Sequence, residues 1–453
     1  MLLGDLMTMG GIATTGWFMW QWRKAGAGPA VPTPEDHAAA APVELRTAVS
    51  IVTDPAQLAL MWPALGLGSP ERGWPNITAA AYTEAGMAVE VQMLGGQSLR
   101  DWNTDATRDA LAAYFGVPEV RVSSPYPGFV RLELRTFDTL HSAVSAPPPI
   151  EAASAEVIEP IPYQPIDLPT REWVDLEAVP VGITEDFDVW RLRVLYGHIL
   201  LAGATGSGKG SVLWSLIAGL GPAIRAGIVD VWLADPKGGT EFGAGERLWV
   251  RFAWDAEEIL AMLREAVQVM NERAARMRQA GIRKLIPSTD EPLILIIIDE
   301  AASLSAYATR EQATEFQQLT GMLLSKGRSV GVSVVAALQD PSKETMPNRQ
   351  LFPIRIGLRL DEPTQTTMVH GQGARDRGAR CDEISELTPG VGYVGEDGTT
   401  AFVRVRAFWV SDDDIDRIVD AYAPAQPDLS PQGDYSGFDP DDLGDGEQQG
   451  RAA

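Results

Sequence analysis

His198-Ile199-Leu200-Leu201-Ala202-Gly203-Ala204-Thr205-Gly206-Ser207-Gly208-Lys209-Gly210-Ser211-Val212-Leu213-Trp214 joins a short apolar run, a glycine-rich loop and an apolar stretch of helical character. Strand, loop, helix is the context a phosphate-binding loop (P-loop) requires. Glycines let successive backbone N–H groups turn inward around a phosphate, and the following helix presents the positive end of its dipole to it. The expected phosphate ligands are therefore Gly203, Ala204, Thr205, Gly206, Ser207, Gly208, Lys209, Gly210 and Ser211. Lys209 would act as a point cation on the β- and γ-phosphates. One position departs from the usual pattern. A serine or threonine should follow the lysine to ligate magnesium, but Gly210 stands there and the hydroxyl comes at Ser211. One residue along a helix turns a side chain by about 100°. Either the first turn is distorted so that Ser211 reaches the metal, or water takes that ligand position.

Downstream, Leu293-Ile294-Leu295-Ile296-Ile297-Ile298 runs straight into Asp299-Glu300. Six aliphatics in a row suit a central strand buried on both faces. Two acids at its C-terminal end stand where ligands bind in open α/β sheets. Asp299, with Ser211, is the expected Mg²⁺ site, and Glu300 the group that polarises the attacking water. A third strand, Val332 to Leu338, ends in Gln339, whose amide could sense the γ-phosphate or hold the lytic water. Arg328, just before that strand, is a candidate to reach a neighbouring subunit's site and stabilise transition-state charge, with Arg355 second.

Strand, loop and helix signals recur from 170 to 423, the pattern of a doubly wound, mostly parallel sheet. The fold class expected is α/β, a RecA-like P-loop NTPase, preceded by a small α+β domain and a candidate transmembrane segment. Residues 1–24 are that segment: mostly apolar, with tryptophans beside Arg23 and Lys24, as interfacial anchors are placed. This puts the chain at the cell membrane with its motor in the cytoplasm, or wholly in the cytoplasm if the segment does not span. A linker is expected at 25–42, the small domain at 43–142, a proline-rich linker at 143–169, the ATPase domain at 170–423 and an acidic, disordered tail at 424–453. In the small domain Ala88–Leu94 reads as a strand, Asp101–Phe115 as a helix, and Val120–Val122 with Val130–Leu134 as a hairpin.

One cysteine, Cys381, excludes an internal disulfide, and four scattered histidines form no metal motif. The net charge of −24 argues against a generic nucleic-acid binder, but it is unevenly spread. From Ser411 onward twelve acids face two arginines. Arg273, Arg276, Arg278, Arg283 and Lys284 instead form a basic end on the helix expected over Asp255–Ala280; as a rule such a run is a solvated face. Thr366–Arg380, polar and basic, is the better candidate for touching DNA phosphates.

Together these motifs resemble the FtsK/SpoIIIE family of DNA translocases, and more closely the transfer proteins of actinobacterial conjugative elements. The matching pieces are Ala202–Lys209, Ala234-Asp235-Pro236-Lys237, Ile298-Asp299-Glu300-Ala301, Leu338-Gln339-Asp340-Pro341-Ser342 and Phe352-Pro353-Ile354-Arg355-Ile356. The Asp-Pro-Lys discriminates, since generic P-loop proteins lack it. Residues 75–135 look, more weakly, like the small α domain that precedes the motor in that family. The resemblance implies a homo-hexameric ring that hydrolyses ATP with Mg²⁺ at subunit interfaces and pulls double-stranded DNA through its centre, in conjugative transfer or in chromosome or plasmid partitioning. It sets Lys209, Asp299, Glu300 and Gln339 on nucleotide-site positions and Arg328 on that of a trans arginine. No winged-helix domain is expected after the motor, so no DNA sequence preference carries over. Two rival readings are a type VII-like protein-secretion ATPase, which shares the fold, and an ATP-binding scaffold with weak hydrolysis.

Overall fold

The computed structural model describes residues 33–149, 174–306 and 308–424. The expected anchor at 1–24, most of the proline-rich linker and residues 425–453 of the expected tail lie outside them. Among the described residues no helix is long and apolar enough to cross a membrane.

The N-terminal unit opens with helices α1 (Pro34–Ala40), α2 (Arg46–Thr53) and α3 (Pro55–Ala64). Helix α1 falls within the expected 25–42 linker. Its start is set by Thr33 and Asp36, which cap each other's backbone, with Pro34 in the first turn. Strands β1 (Asn76–Thr83) and β2 (Gly86–Gln92) follow, then α4 (Leu99–Trp102), α5 (Asp105–Phe115), β3 (Glu119–Ser123) and β4 (Phe129–Arg135). The strands form an antiparallel sheet in the order β1-β2-β4-β3. This is an α+β unit. The single helix expected over 101–115 is two, because Thr104 caps a new one and interrupts the first.

The second sheet has ten strands in the order β6-β5-β14-β13-β12-β7-β11-β10-β8-β9. They are β5 (Val179–Thr184), β6 (Val189–Leu192), β7 (Ile199–Ala202), β8 (Val229–Ala234), β9 (Trp249–Ala253), β10 (Leu293–Ile298), β11 (Val332–Leu338), β12 (Ile354–Leu358), β13 (Val391–Glu396) and β14 (Val403–Ala407). The six from β7 to β12 run parallel; the other four extend the sheet antiparallel. Helices α6 (Lys209–Arg225), α7 (Ala256–Ala280), α8 (Ala301–Ala306), α9 (Arg310–Lys326), α10 (Pro363–His370) and α11 (Asp412–Tyr422) surround it. Period-two alternation splits the core. Leu293, Leu295 and Ile297 of β10 pack with α6 and α11, and Ile294, Ile296 and Ile298 with α7 and α9.

The small unit sits on the antiparallel end of this sheet. Arg404 donates twice to Asp138, at 2.7 and 2.8 Å, and Arg406 donates to the Leu140 carbonyl at 2.7 Å. Burial works against the Asp138 carboxylate, but the Arg404 bonds hold its pKa down to about 2. The chain past 142 stays with the sheet: Ala146 donates to Trp409 O and Trp409 to Val144 O. The start of the expected linker is therefore seated against the large sheet.

The basic end of α7 is partly structural. Arg273 is buried and donates to the carbonyls of Pro292, Gly331 and Val330 at 2.8, 3.1 and 3.3 Å. It fastens the helix beneath the starts of β10 and β11 and cannot reach a phosphate. Arg276 pairs with Glu291. Replacing Arg273 by Ala strips these buried carbonyls of their donor, so urea unfolding should show a loss of about 1–3 kcal/mol.

Candidate nucleotide site

The loops that carry the sequence motifs emerge at one edge of the sheet. Strand β11 lies between β7 and β10, and its parallel register pairs Ala202 with Leu338 and Ile298 with Ala336. Gly203, Gln339 and Asp299 therefore leave the sheet side by side, with Asp235 following β8 one strand further on.

Helix α6 starts at Lys209 from Gly208, whose φ of 96° is left-handed; a side chain there would also strike Gly390 N at 2.3 Å. The loop's amides divide by task. Those of Gly203 and Ala204 are spent on Leu338 O and Arg359 O, and that of Ser207 on Ala204 O. The amides of Lys209, Gly210 and Ser211, in the first helical turn, have no intrahelical acceptor and form the natural anion cradle. So Gly203 and Ala204 shape the loop through their amides and do not use them to grip a ligand. Lys209 folds back over the loop, donating to Gly203 O at 2.7 Å and Ala204 O at 3.2 Å. Burial pushes its pKa down, against the pull of Glu300.

Asp299 is fully buried and Glu300 nearly so. Glu300 Oε1 accepts the Gln339 backbone N–H at 3.2 Å, and Thr205 Oγ1 donates to the Gln339 side-chain oxygen at 3.0 Å. Asp299 Oδ1, Glu300 Oε2 and Ser207 Oγ are buried without a partner, which suits groups waiting for a ligand. Burial raises the Asp299 carboxyl to about 6, and the Lys237 hydrogen bond offsets only part of that. Helix α6 is unbroken from Lys209, so no distortion of its first turn brings Ser211 to the place of residue 210.

Four residues not assigned a role from sequence complete the site. Asp235, fully buried, accepts the amides of Lys237, Glu241 and Phe242 at 3.1, 3.0 and 3.2 Å and so shapes the loop after β8. Lys237 donates to Asp299 Oδ2 at 2.7 Å and to Glu241 Oε2 at 3.2 Å. The Asp-Pro-Lys motif was the available signal for Asp235 and Lys237. Arg359, just past β12, donates to Thr205 O at 2.8 Å and Asp361 at 3.1 Å, bracing the loop tip.

Other candidates lie elsewhere. Arg328 is exposed and precedes β11, on the order of 20 Å along that strand from Gln339. Arg355 is held by Phe352 O and Gln350 O. The basic residues of 366–380 are engaged. Arg375 pairs with Asp382 and Glu383, Arg377 lies 5.4 Å from the Phe402 ring, and Arg380 pairs with Glu383 and with Asp105 of the small unit. This segment offers no free cation row to a DNA strand, because the acids beside it have taken that charge.

Residues 174–291 match the family model described as FtsK/SpoIIIE family. This stretch is similar to that family. The transfer protein TraSA of Streptomyces ambofaciens is 24% identical over 384 residues, 80% of this chain and 85% of that protein. The DNA translocase FtsK of Streptococcus pyogenes serotype M1 is 24% identical over 367 residues, 74% of this chain. The chain spans only 41% of that FtsK's length. Among solved structures, the conjugation coupling protein TcpA in monomer form with ATPgS superposes with a TM-score of 0.50 at 17% identity. The likeness covers 81% of this chain and 98% of that one. The domain has a P-loop ATPase fold, and its motif-bearing loops leave the sheet at β7, β11 and β10. The FtsK/SpoIIIE match ends at 291, just short of the strand that carries the acid pair.

Between the ordinary carboxylate value of 3.8 and about 6, folded Asp299 keeps a proton that the unfolded chain has released. Its contribution to stability therefore falls as pH rises through that window. Unfolding free energies of the wild type and Asp299→Asn, measured from pH 4 to pH 7, should diverge in this sense, the wild type losing ground as pH rises. Parallel curves would show an unshifted Asp299.

Proposed function

We propose that this chain is an ATP-driven translocase of double-stranded DNA acting in conjugative transfer, as a homo-hexamer held at the cell membrane with its motor in the cytoplasm. The observation that carries the reading is the meeting, at one edge of a domain similar to the FtsK/SpoIIIE family, of a phosphate loop, a buried acid pair and a strand-end glutamine. The likeness to TraSA, a transfer protein, and to FtsK, a DNA translocase, supports the cargo and the process. Nothing in the geometry favours the protein-export or scaffold readings over this one.

In this mechanism the first-turn amides of α6 receive the triphosphate, and Lys209 leaves the carbonyls of Gly203 and Ala204 for it. Glu300, fixed through Oε1 by the Gln339 amide, turns its free Oε2 to the attacking water and takes its proton. Gln339, tied to Thr205 at the loop tip, reports whether the γ-phosphate is present. The buried, unpartnered oxygen of Asp299 fits a Mg²⁺ holder, while Ser211, one residue past the usual ligand position on an unbroken helix, would take part only through a water. That ion, when bound, neutralises phosphate charge. Arg328, too far along β11 to serve its own site, acts on a neighbouring subunit's.

Steady-state ATP turnover should rise several-fold with duplex DNA and rise further with duplex length. Glu300→Gln should cut kcat by about 10²–10⁴ while ATP stays bound, and Lys209→Ala should abolish nucleotide binding. Turnover indifferent to duplex of any length would sink the translocase reading, and normal turnover in Lys209→Ala the nucleotide site itself.

A further inference from the structure

The loop after β8 lies against the face of α6 where the P-loop hydroxyl is missing. Gly210 and Trp214 are one turn apart on the same face of that helix. Trp214 stacks on Phe242, with ring centroids 5.4 Å apart and planes at 20°. Glu241 is thereby brought to Gly210: a Cβ built on position 210 would lie 2.9 Å from Glu241 Oε1. The volume that a serine or threonine side chain would occupy is filled by a carboxylate. Its other oxygen meets the Lys237 ammonium, which also holds Asp299 Oδ2. A cation thus already bridges the two acids, and Asp299, its side chain only 1% exposed, has a second oxygen with no partner. Among the described residues no three acid, histidine or cysteine groups form a metal site by themselves. That suits Mg²⁺, which commonly takes only one or two carboxylates and completes its shell with phosphate oxygens and water.

We propose that Glu241 supplies the divalent-cation ligand that the glycine at 210 withdraws, directly or through a water. Lys237 is then the resident countercharge that vacates Asp299 when the metal–nucleotide complex enters. The inference rests on the nucleotide-site reading above, and goes beyond it by moving the second protein ligand from the first turn of α6 to the loop after β8. It gives Gly210 a reason, since a side chain there would push the tip of the replacing carboxylate aside. It also gives Asp235 a positioning role, because the three amides it accepts fix the loop that carries Glu241.

Mn²⁺ serves as the probe. On the full chain, ADP affinity is measured in EDTA, and Mn²⁺ affinity of the ADP complex by electron paramagnetic resonance. Glu241→Gln should leave ADP affinity in EDTA unchanged and weaken Mn²⁺ about tenfold or more. Glu241→Ala should weaken it similarly, and adding Gly210→Ser to Glu241→Ala should restore most of the loss by returning the hydroxyl to the emptied space. Wild-type Mn²⁺ affinity in Glu241→Gln, or a double variant no tighter than Glu241→Ala alone, would overturn the assignment while leaving the nucleotide site standing. Failure of the wild type to bind ADP in EDTA would bring down both.

Discussion

The parallel register of β7, β11 and β10 is the constraint on which the rest depends. Because Ala202 is level with Leu338 and Ile298 with Ala336, the phosphate loop, the glutamine and the acid pair start within a residue or two of the same height. A slip of one residue would turn the side chains of a strand to the other face and empty both cores at once. The alternation that sends Leu295 toward α6 and Ile296 toward α7 and α9 is therefore what holds the chemistry in line. The placing of β11 between its neighbours has a further effect. Gln339 can touch Thr205 with its side chain and Glu300 with its backbone, so one residue joins the candidate phosphate loop to the acid proposed to activate water.

The edge so formed is dense in charge, and an unpaired buried charge is costly. The cations find provisional partners within the chain. Lys209 lies on the carbonyls of its own loop, Lys237 on Asp299 and Glu241, and Arg359 on Thr205 O. A ligand entering here exchanges those partners for its own, which links nucleotide occupancy to the loops after β7, β8 and β12 together. The small unit is fastened to the other end of the sheet through Asp138, Arg404 and Arg406 and leaves this edge open.

Much of this was readable in the chain, for definite reasons. A six-residue aliphatic run closed by Asp299-Glu300 can only be a central strand with acids at its exit, and the glycine spacing from 203 to 208 left few alternatives to a phosphate loop. Other features were hidden because they depend on contacts between distant residues. Arg273 looked like one of a solvated basic run, yet its carbonyl partners are on segments 19 to 58 residues away. The arginines of 366–380 read as free because Asp105, one of the acids that bind them, is 275 residues from Arg380. Glu241 carried no signal at all: its meaning comes only from Gly210 facing it. The caps at Thr104 and Thr33 are masked in the sequence by the apolar periodicity and the Pro/Ala content around them.

The charge distribution can be carried one step further. Both basic segments that might have gripped a polyanion are largely committed within the chain, Arg273 to carbonyls and Arg375 and Arg380 to acids. The exposed cations outside those contacts, such as Arg278, Arg283, Lys326, Arg328 and Lys343, are few against a net charge of −24. One subunit alone makes a poor match for a phosphate backbone, whose affinity depends on several cations acting together. In the proposed ring each positive surface would be repeated around one axis, and the potentials there would add. On that proposal assembly is the condition under which DNA binding becomes electrostatically reasonable for a chain of this composition, and hydrolysis and DNA engagement would depend on the same subunit contacts.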